Sequence, residues 1–200
     1  YKNVATGSNS SAFGFQNFSD GESSSAVGYK NTVAGNASNG FGSLNEVSGD
    51  YSSAVGYQNA LNGANSNAFG LTNDLTGDYS NAFGANNTVN NDYASAIGTW
   101  NVASGEYSSA VGYSNTVSDS YNSAFGSNNI VSENYSSAFG YDNKISGGSS
   151  NALGYKNTVS GIYSNAVGAY DYVGGNYSTA IGYGNNRFVS DFNNNFNLYS

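Results

Sequence analysis

This 200-residue sequence contains no cysteine, histidine, methionine or proline. Without histidine or cysteine, the usual general bases, nucleophile partners and zinc ligands are missing, and the many serines have no base to activate a hydroxyl. Paired carboxylates remain a route to acid–base chemistry, but the acidic residues are scattered along predicted turns. The sequence therefore predicts a protein that is not an enzyme and uses no cofactor.

Charge and long hydrophobic runs are also scarce. Only 9% of the residues are charged, and 13 acidic against 5 basic residues give a formal net charge of -8. A nucleic-acid-binding protein needs a basic face, so no nucleic-acid partner is expected. Because the sequence shows neither a signal peptide nor an apolar stretch of membrane-spanning length, we expect no membrane contact by this fragment, with any anchor outside it.

What the chain does contain is a repeat of fourteen residues, in which glycine recurs without a change of phase. Each place in the repeat forms a column, which is named here by one of its members. The Gly14 column consists of Gly14, Gly28, Gly42, Gly56, Gly70, Gly84, Gly98, Gly112, Gly126, Gly140, Gly154, Gly168 and Gly182. A period kept this strictly is typical of a repeat solenoid.

Other columns surround the Gly14 column. An apolar residue comes directly before the glycine (the Phe13 column), and alanine comes before that residue (the Ala12 column), with Gly40 as the exception. Asparagine stands three places after the glycine (the Asn17 column), and Asp171 is its one departure. An aliphatic residue follows two places later, as at Val33, and a second glycine, as at Gly35, closes the repeat (the Val33 and Gly7 columns).

These short segments predict strands and turns. Two glycines in every fourteen residues would cost a helix roughly 1 kcal/mol each relative to alanine, which excludes a helical solenoid. Runs of about five residues rich in Val, Ile, Phe and Tyr, separated by Gly, Asn and Asp, indicate strands joined by turns. We therefore predict an all-β, parallel β-roll (β-solenoid) of about 13 rungs with two short strands per rung, stacked about 4.8 Å apart into a rod roughly 60 Å long.

Two details of the interior follow from this arrangement. Stacked asparagines of one column should bond to one another as a ladder that fixes the register. Glycine should supply either positive φ or room at both corners of the rung. Because side chains alternate along a strand, the Ala12 and Phe13 columns face opposite ways. We expect the Phe13 column to meet the Val33 column inside and the Ala12 column to face another chain; the opposite arrangement would leave a long apolar stripe outside, and either favours association.

The repeat region is predicted to span residues 1–186, followed by a cap or connector at 187–200. The period fails after Gly182, where Arg187, Phe188 and Val189 replace the corner pattern and Phe196 replaces the expected glycine. An open rung offers unpaired backbone groups to other strands, so a stack needs a cover at its end. The residues expected to act in assembly or capping are Phe188, Phe192, Phe196 and Tyr199.

Two columns rich in tyrosine are the candidate contact surface. Tyrosine combines a large apolar face with a hydroxyl at modest entropic cost, which suits it to recognition. The alternative is that stacked rings only cover the corners and stiffen the rod. The Tyr51 column, which we predict to bind ligand, contains Tyr51, Tyr79, Tyr93, Tyr107, Tyr121, Tyr135, Tyr163 and Tyr177; the Tyr29 column contains Tyr29, Tyr57, Tyr113, Tyr141, Tyr155 and Tyr183.

The acidic column beside the Tyr51 column raises the question of a bound cation. Asp78, Asp92 and Glu106 occupy one place in consecutive repeats, where like charges repel and a cation would relieve the repulsion. The simpler interpretation, which we adopt, is three solvated turn carboxylates and no metal site. The glycosylation sequons at Asn134 and Asn176 follow from a composition rich in Asn and Ser and receive little weight.

The repeat resembles a known family. The segments from Gly49 to Asn59 and from Gly105 to Asn115, which share Tyr-Ser-Ser-Ala-Val-Gly-Tyr, are similar to the head repeats of trimeric autotransporter adhesins of the YadA-like or Hep_Hag type, and the similarity covers residues 1 to about 186. The resemblance implies a left-handed β-roll, a homotrimer, and a head on a stalk at a Gram-negative outer membrane. One departure is that Ser or Asn, as at Ser53 and Asn67, stands where the family has valine.

The function that the resemblance implies is a non-enzymatic, extracellular adhesin head. Its partners would be host extracellular matrix, host cells, other surfaces or other copies of itself. The alternatives are a self-assembling extracellular filament and a segment of a phage tail fibre built from the same repeat. Ice binding is less favoured, because no column is a regular threonine array.

Overall fold

The computed structural model of this chain describes residues 2–187. The chain divides into two compact units, Tyr1–Trp100 and Asn101–Ser200. In both units every described element is a β-strand, and five-residue strands alternate with two-residue strands along the chain. Each unit is a parallel β-solenoid in which one long and one short strand form a rung. The prediction of an all-β solenoid of about 13 turns with two strands per turn is confirmed.

The strands are numbered β1 to β27 in chain order. In the first unit the short strands are β1 (Val4–Ala5), β3 (Phe18–Ser19), β5 (Thr32–Val33), β7 (Glu46–Val47), β9 (Ala60–Leu61), β11 (Asp74–Leu75) and β13 (Thr88–Val89), and the long ones are β2 (Ser11–Phe15), β4 (Ser25–Tyr29), β6 (Asn39–Ser43), β8 (Ser53–Tyr57), β10 (Asn67–Leu71), β12 (Asn81–Ala85) and β14 (Ser95–Thr99). In the second unit the short strands are β15 (Val102–Ala103), β17 (Thr116–Val117), β19 (Ile130–Val131), β21 (Lys144–Ile145), β23 (Thr158–Val159), β25 (Tyr172–Val173) and β27 (Asn186–Arg187), and the long ones are β16 (Ser109–Tyr113), β18 (Ser123–Ser127), β20 (Ser137–Tyr141), β22 (Asn151–Tyr155), β24 (Asn165–Ala169) and β26 (Thr179–Tyr183).

Within each unit, the long strands form one parallel sheet and the short strands form another. The register is that of the sequence repeat: Ala68 lies opposite Ala82 in the first unit, and Ala124 lies opposite Ala138 in the second. Short strands follow the same rule, as in the pairing of Leu75 with Val89. Residues fourteen apart are therefore neighbours, and each sequence column is a row on the surface or in the core of its unit.

The alanine column forms the core, so the expectation for the two faces of the long strand was wrong. Ala82 and Ala138 are fully buried, whereas Phe83 and Phe139 are 41% and 42% exposed. The fully buried Val33 column lies opposite the alanines. The two sheets are too close together for a larger side chain, because a methyl group added at Gly40, the one gap in the Ala12 column, would lie 2.8 Å from Val33 Cγ2. The Phe13 column therefore lies outside.

The glycine columns are needed for different reasons. The Gly14 column lies within the long strands, and its φ angles of 118 to 139° are those that side chains avoid. The Gly7 column has no such φ, but a side chain there would overlap the carbonyl of the next rung, as at Gly35 against Gly49. The turns themselves place non-glycine residues at positive φ, including Tyr79 and Gln58 at 55°. Glycine therefore provides room in both columns, as expected, but it provides a positive φ only in the Gly14 column.

The predicted asparagine ladder is present. Nδ2 of Asn31 donates to Asn17 Oδ1 at 3.0 Å, to Val27 O at 3.0 Å and to Gly42 O at 2.8 Å, and Asn31 N donates to Asn17 Oδ1 at 3.0 Å. The side chain thus joins three consecutive rungs. The same ladder is formed in the second unit, where Asn129 Nδ2 donates to Asn115 Oδ1 at 3.0 Å. Because these amides are buried, losing a rung of the ladder would leave polar groups without partners.

A second buried ladder was not identified from the sequence. It runs along the Ser24 column, the serine directly after the Tyr51 column, as at Ser52, Ser66 and Ser80. Oγ of Ser66 lies 2.9 Å from Gly77 O and accepts the amide hydrogen of Ser80 at 3.0 Å. The signal was present in the repeat, but a serine column between polar neighbours resembles an exposed turn.

Candidate binding surface

The outer face of the long strands is an apolar stripe. Alternation places the Phe13 and Tyr29 columns on this face together with the Ser or Asn of each long strand. Neighbouring phenyl rings stack, with centroids 5.1 Å apart for Phe69 and Phe83 and 5.0 Å apart for Phe125 and Phe139, both pairs within 2° of parallel. A row of exposed apolar side chains on successive rungs of each unit is the type of surface that associates with a partner.

The Tyr51 column lies at one corner of the rung, next to the end of the turn. Its tyrosines are between 45% and 66% exposed and have φ of 54 to 61°. This left-handed conformation is costly for a bulky residue, but the amide of each residue bonds to the preceding rung, as from Tyr79 N to Ala64 O at 2.8 Å. The ladder of backbone bonds therefore fixes where each ring projects.

Rings of the Tyr51 column form stacks. In the first unit Tyr79 and Tyr93 have centroids 5.0 Å apart and planes at 3°. In the second unit Tyr107 stacks on Tyr121 at 5.1 Å, and Tyr121 stacks on Tyr135 at 5.0 Å. Tyr163 and Tyr177 form a further pair at 5.2 Å. The structure thus brings all of the predicted tyrosines except Tyr51 into exposed stacks, and the stacking also fits the alternative role of stiffening the corner.

The acids beside these tyrosines are hydrogen-bond acceptors of the turn. Asp78 Oδ1 accepts the amide hydrogen of Ala64 at 2.7 Å, and Asp92 Oδ1 accepts that of Asp78 at 2.9 Å. Asparagines in the same column do the same, as when Asn134 Oδ1 accepts from Ser120 N at 2.9 Å. Across residues 2–187, no cluster of three or more acidic side chains is placed to hold a metal ion. The column is explained by its role in the turn.

The Tyr29 column is less regular, and a lysine lies beside it. Tyr141 and Tyr155 stack at 5.2 Å, and Tyr170 meets Tyr155 edge to face at 5.2 Å. Lys156 Nζ lies 5.2 Å from the centre of the Tyr155 ring. A hydrogen bond to Tyr155 raises the pKa of Lys156 above its ordinary value, and the pKa of Tyr170 is raised first by its own hydrogen bond to Tyr155. The repeat pattern did not point to Tyr170, because this residue lies one place beyond the column.

Three buried polar atoms lack a partner within the described residues: Ser108 Oγ, Asn122 Nδ2 and Asp171 Oδ2. Two of them belong to residues that replace the usual serine or asparagine of a buried ladder. Asn122 stands in the Ser24 column, and its Oδ1 accepts Ser136 N at 2.8 Å while its Nδ2 finds no acceptor. Asp171 stands in the Asn17 column. These are irregularities of the core rather than a site that is open to a ligand, because all three residues are 1% exposed or less.

One open groove lies on the short-strand side of the first unit, with a volume of about 420 Å³. Glu46 and Asp74 lie on either side of Ala60, and Leu44 and Gln58 complete the wall. The groove exists because alanine leaves a step between two longer side chains.

Within the described part of the chain, no helix is long and apolar enough to cross a membrane. The predicted capping residues Phe188, Phe192, Phe196 and Tyr199 lie outside the described residues, as does nearly all of the predicted cap at 187–200.

The family model of the YadA head domain repeat matches residues 5–31, 76–99, 90–115, 103–121 and 123–143. This chain carries YadA-like head repeats. The matched segments lie in both units of the solenoid, and the YadA head family is one of non-enzymatic adhesins. No curated protein matches the chain.

Proposed function

We propose that this YadA-like head is an extracellular adhesin that attaches a cell surface to host matrix, host cells or other surfaces. The observation that carries the proposal is the exposed tyrosine ladder on a rigid, hydrogen-bonded corner in each unit. Its rings are large, apolar and held in place, so binding would cost little conformational entropy. The family match supports the adhesin class, and with it a location at the cell surface.

The head associates as a homotrimer through the Phe13 column. We expected the Ala12 column to face another chain, but the Phe13 column lies on the outer face instead. Its side chains are larger, which strengthens the case for association. Phe41, Phe69 and Phe83 are each about 40% exposed on the long-strand face of the first unit, and Leu153 in the second unit is 52% exposed. A partner chain that covers these side chains would stabilise the assembly by roughly 25 cal/mol for each Å² of apolar surface removed from water. The threefold symmetry is inferred from the family.

Ligand contact takes place at the Tyr51 column, and each contact is shallow. Repeated weak sites on three chains raise the overall affinity through effective concentration, without any single deep pocket. Asp78 and the other acids beside the column contribute to the turn and need no bound cation.

The test of adhesion is attachment of the purified chain to immobilised matrix proteins and to host cells. Replacing Tyr79, Tyr93 and Tyr107 together by Ser should lower attachment at least tenfold, while replacing the same three by Phe retains the rings and should retain most of it. A lowered melting temperature with unaltered attachment in the Ser variant would show that these rings only stiffen the corner. Growth of the wild-type chain into long fibres, seen by electron microscopy, would favour the filament instead.

A further inference from the structure

The tyrosine ladder of the second unit has a gap of one rung. Tyr107, Tyr121 and Tyr135 stack in sequence, and Tyr163 stacks on Tyr177, but the rung between these two groups carries Ser149. Tyr135 and Tyr163, the two rings that border the gap, are 63% and 55% exposed, more than Tyr107 or Tyr121 at 45% and 49%. One face of each bordering ring is uncovered toward the rung of Ser149.

The corner at the gap is the smallest that the repeat allows. Its three residues are Gly147, Gly148 and Ser149. A methyl group added at Gly148 would meet no atom closer than Asn134 O at 3.8 Å, so the space above the backbone is open. Most other rungs have an acid, amide or larger side chain at the place of Gly148. The gap is therefore an open slot at the surface.

The walls of the slot are held by the same backbone ladder as the other corners. Ser149 N donates to Asn134 O at 2.9 Å, and Tyr163 N donates to Gly148 O at 3.0 Å. Ser149 has φ of 55°, equal to that of Tyr163. The rung thus continues without distortion through the gap, and only the aromatic side chain is missing.

The dimensions of the slot follow from the rung spacing. Two rungs separate Tyr135 from Tyr163, so their rings lie about 10 Å apart, and a ring midway between them would be about 5 Å from each. That distance equals the 5.0 to 5.1 Å between centroids in the adjoining stack. A slot of this size accepts one flat ring and excludes two.

The chemistry of the slot favours a neutral aromatic ring. Its walls are two phenol faces, and the residues that precede the aromatic position on the three rungs, Asn134, Gly148 and Ile162, are uncharged, as is Ser149. Aromatic pairs in offset stacks gain about 0.5–1.5 kcal/mol beyond the area they bury. We propose that the Ser149 corner binds one exposed tyrosine-like side chain of a protein partner, which completes the ladder.

This inference deepens the proposed function, since it names the ligand class for one corner of the Tyr51 column. It is tested in solution with N-acetyl-tyrosinamide as the probe, by following amide shifts of the ¹⁵N-labelled protein in NMR. We expect saturable shifts centred on Gly148 and Ser149 and their neighbours in the adjoining rungs. This measurement involves no attachment to a surface, so the two proposals can fail separately. Binding of the probe without adhesion would contradict only the adhesin function, and adhesion without binding of the probe would contradict only the slot.

The decisive variant is Ser149→Tyr, which fills the slot with the residue that the column has in nearby rungs. It should raise the Kd for the probe at least tenfold, whereas Ser149→Ala should leave it within a factor of two. Asn65→Tyr is the matched control, because it closes the corresponding gap between Tyr51 and Tyr79 in the first unit and should not affect the shifts at Gly148. Should Ser149→Tyr fail to fold, Tyr163→Leu removes one wall and should weaken binding similarly.

Two results would overturn the proposal. One is a set of shifts spread evenly over all tyrosine corners, or one that Ser149→Tyr leaves unchanged. The other is an equal response to methyl β-glucoside, which has a comparable ring size without aromatic character and would assign the slot to a sugar.

Discussion

Asp171 has no side-chain hydrogen to donate to Asn157, the asparagine one rung earlier in the same column. Its amide donates to Asn157 Oδ1 at 3.0 Å, and its own Oδ1 accepts from Asn185 N and Nδ2 at 2.8 Å. Asn157, one rung earlier, donates Nδ2 to Asn143 Oδ1 at 3.0 Å and to Gly168 O at 3.0 Å. Asp171 has an oxygen, Oδ2, in place of that nitrogen, and this atom is buried without a partner.

Replacing Asp171 by Asn should therefore stabilise the protein. The amide restores the missing donor, and satisfying a buried polar group is worth about 1–3 kcal/mol. The measurement is the free energy of unfolding in urea at neutral pH. As the matched control, Asn157→Asp introduces the same defect one rung away and should destabilise; equal stability of all three proteins would contradict the role given to the ladder.

The packing of the core can be tested with two neighbouring residues. Ala82→Leu forces a larger side chain between the two sheets and should destabilise by about 1–3 kcal/mol, as overpacked cores do. Phe83→Leu, on the opposite face of the same strand, should change stability by no more than about 0.5 kcal/mol in the isolated chain. The reverse order of effects in chemical denaturation would mean that the Phe13 column is inside.

Association should depend on the Phe13 column. Replacing Phe69 and Phe83 by Ser removes two stacked rings from the outer face and should lower the oligomer fraction, with the fold retained by circular dichroism. Analytical ultracentrifugation over a range of concentrations gives the readout. If the wild-type chain sediments as a stable monomer, the proposed association is wrong.

Glycine should be indispensable within the long strands but not at the open corner. Gly84→Ala adds a methyl group at φ of 120° and against the carbonyl of Gly98, so it should destabilise by more than about 1 kcal/mol. Gly148→Ala meets only open space and should be neutral within about 0.5 kcal/mol. Thermal melting of the two variants side by side separates the two roles, and similar losses would refute the distinction.

Tyr155 should control the titration of its neighbours. It raises the pKa of Lys156 and of Tyr170 through hydrogen bonds, so Tyr155→Phe should lower both pKa values toward their ordinary ranges. NMR titration of the Lys156 side chain at alkaline pH measures the first shift, and the ultraviolet absorbance of tyrosinate follows the second. Tyr141→Phe, which leaves these two bonds in place, is the control; an unchanged Lys156 titration in Tyr155→Phe would exclude the bond as the cause.

Much of the fold could be predicted from the sequence because one covalent period equals one rung. The spacing of glycine and asparagine defines strands that pair with copies of themselves fourteen residues away, as Asn31 does with Asn17. The tyrosine ladders could be predicted for the same reason, since Tyr79 and Tyr93 must stack if their rungs do. The Ser149 slot could be found only after the size of its corner was known.

The amino-acid sequence alone establishes the period, the register and the two alternating faces of the long strand. It did not determine which face is inside, because Ala82 and Phe83 are both apolar and alternation treats them alike. Packing between the two sheets settles the question: a two-residue strand opposite a five-residue strand leaves so thin a coil that even a methyl group added at Gly40 would lie 2.8 Å from Val33 Cγ2. The larger side chains are therefore forced outward, where they form the surface on which association would depend.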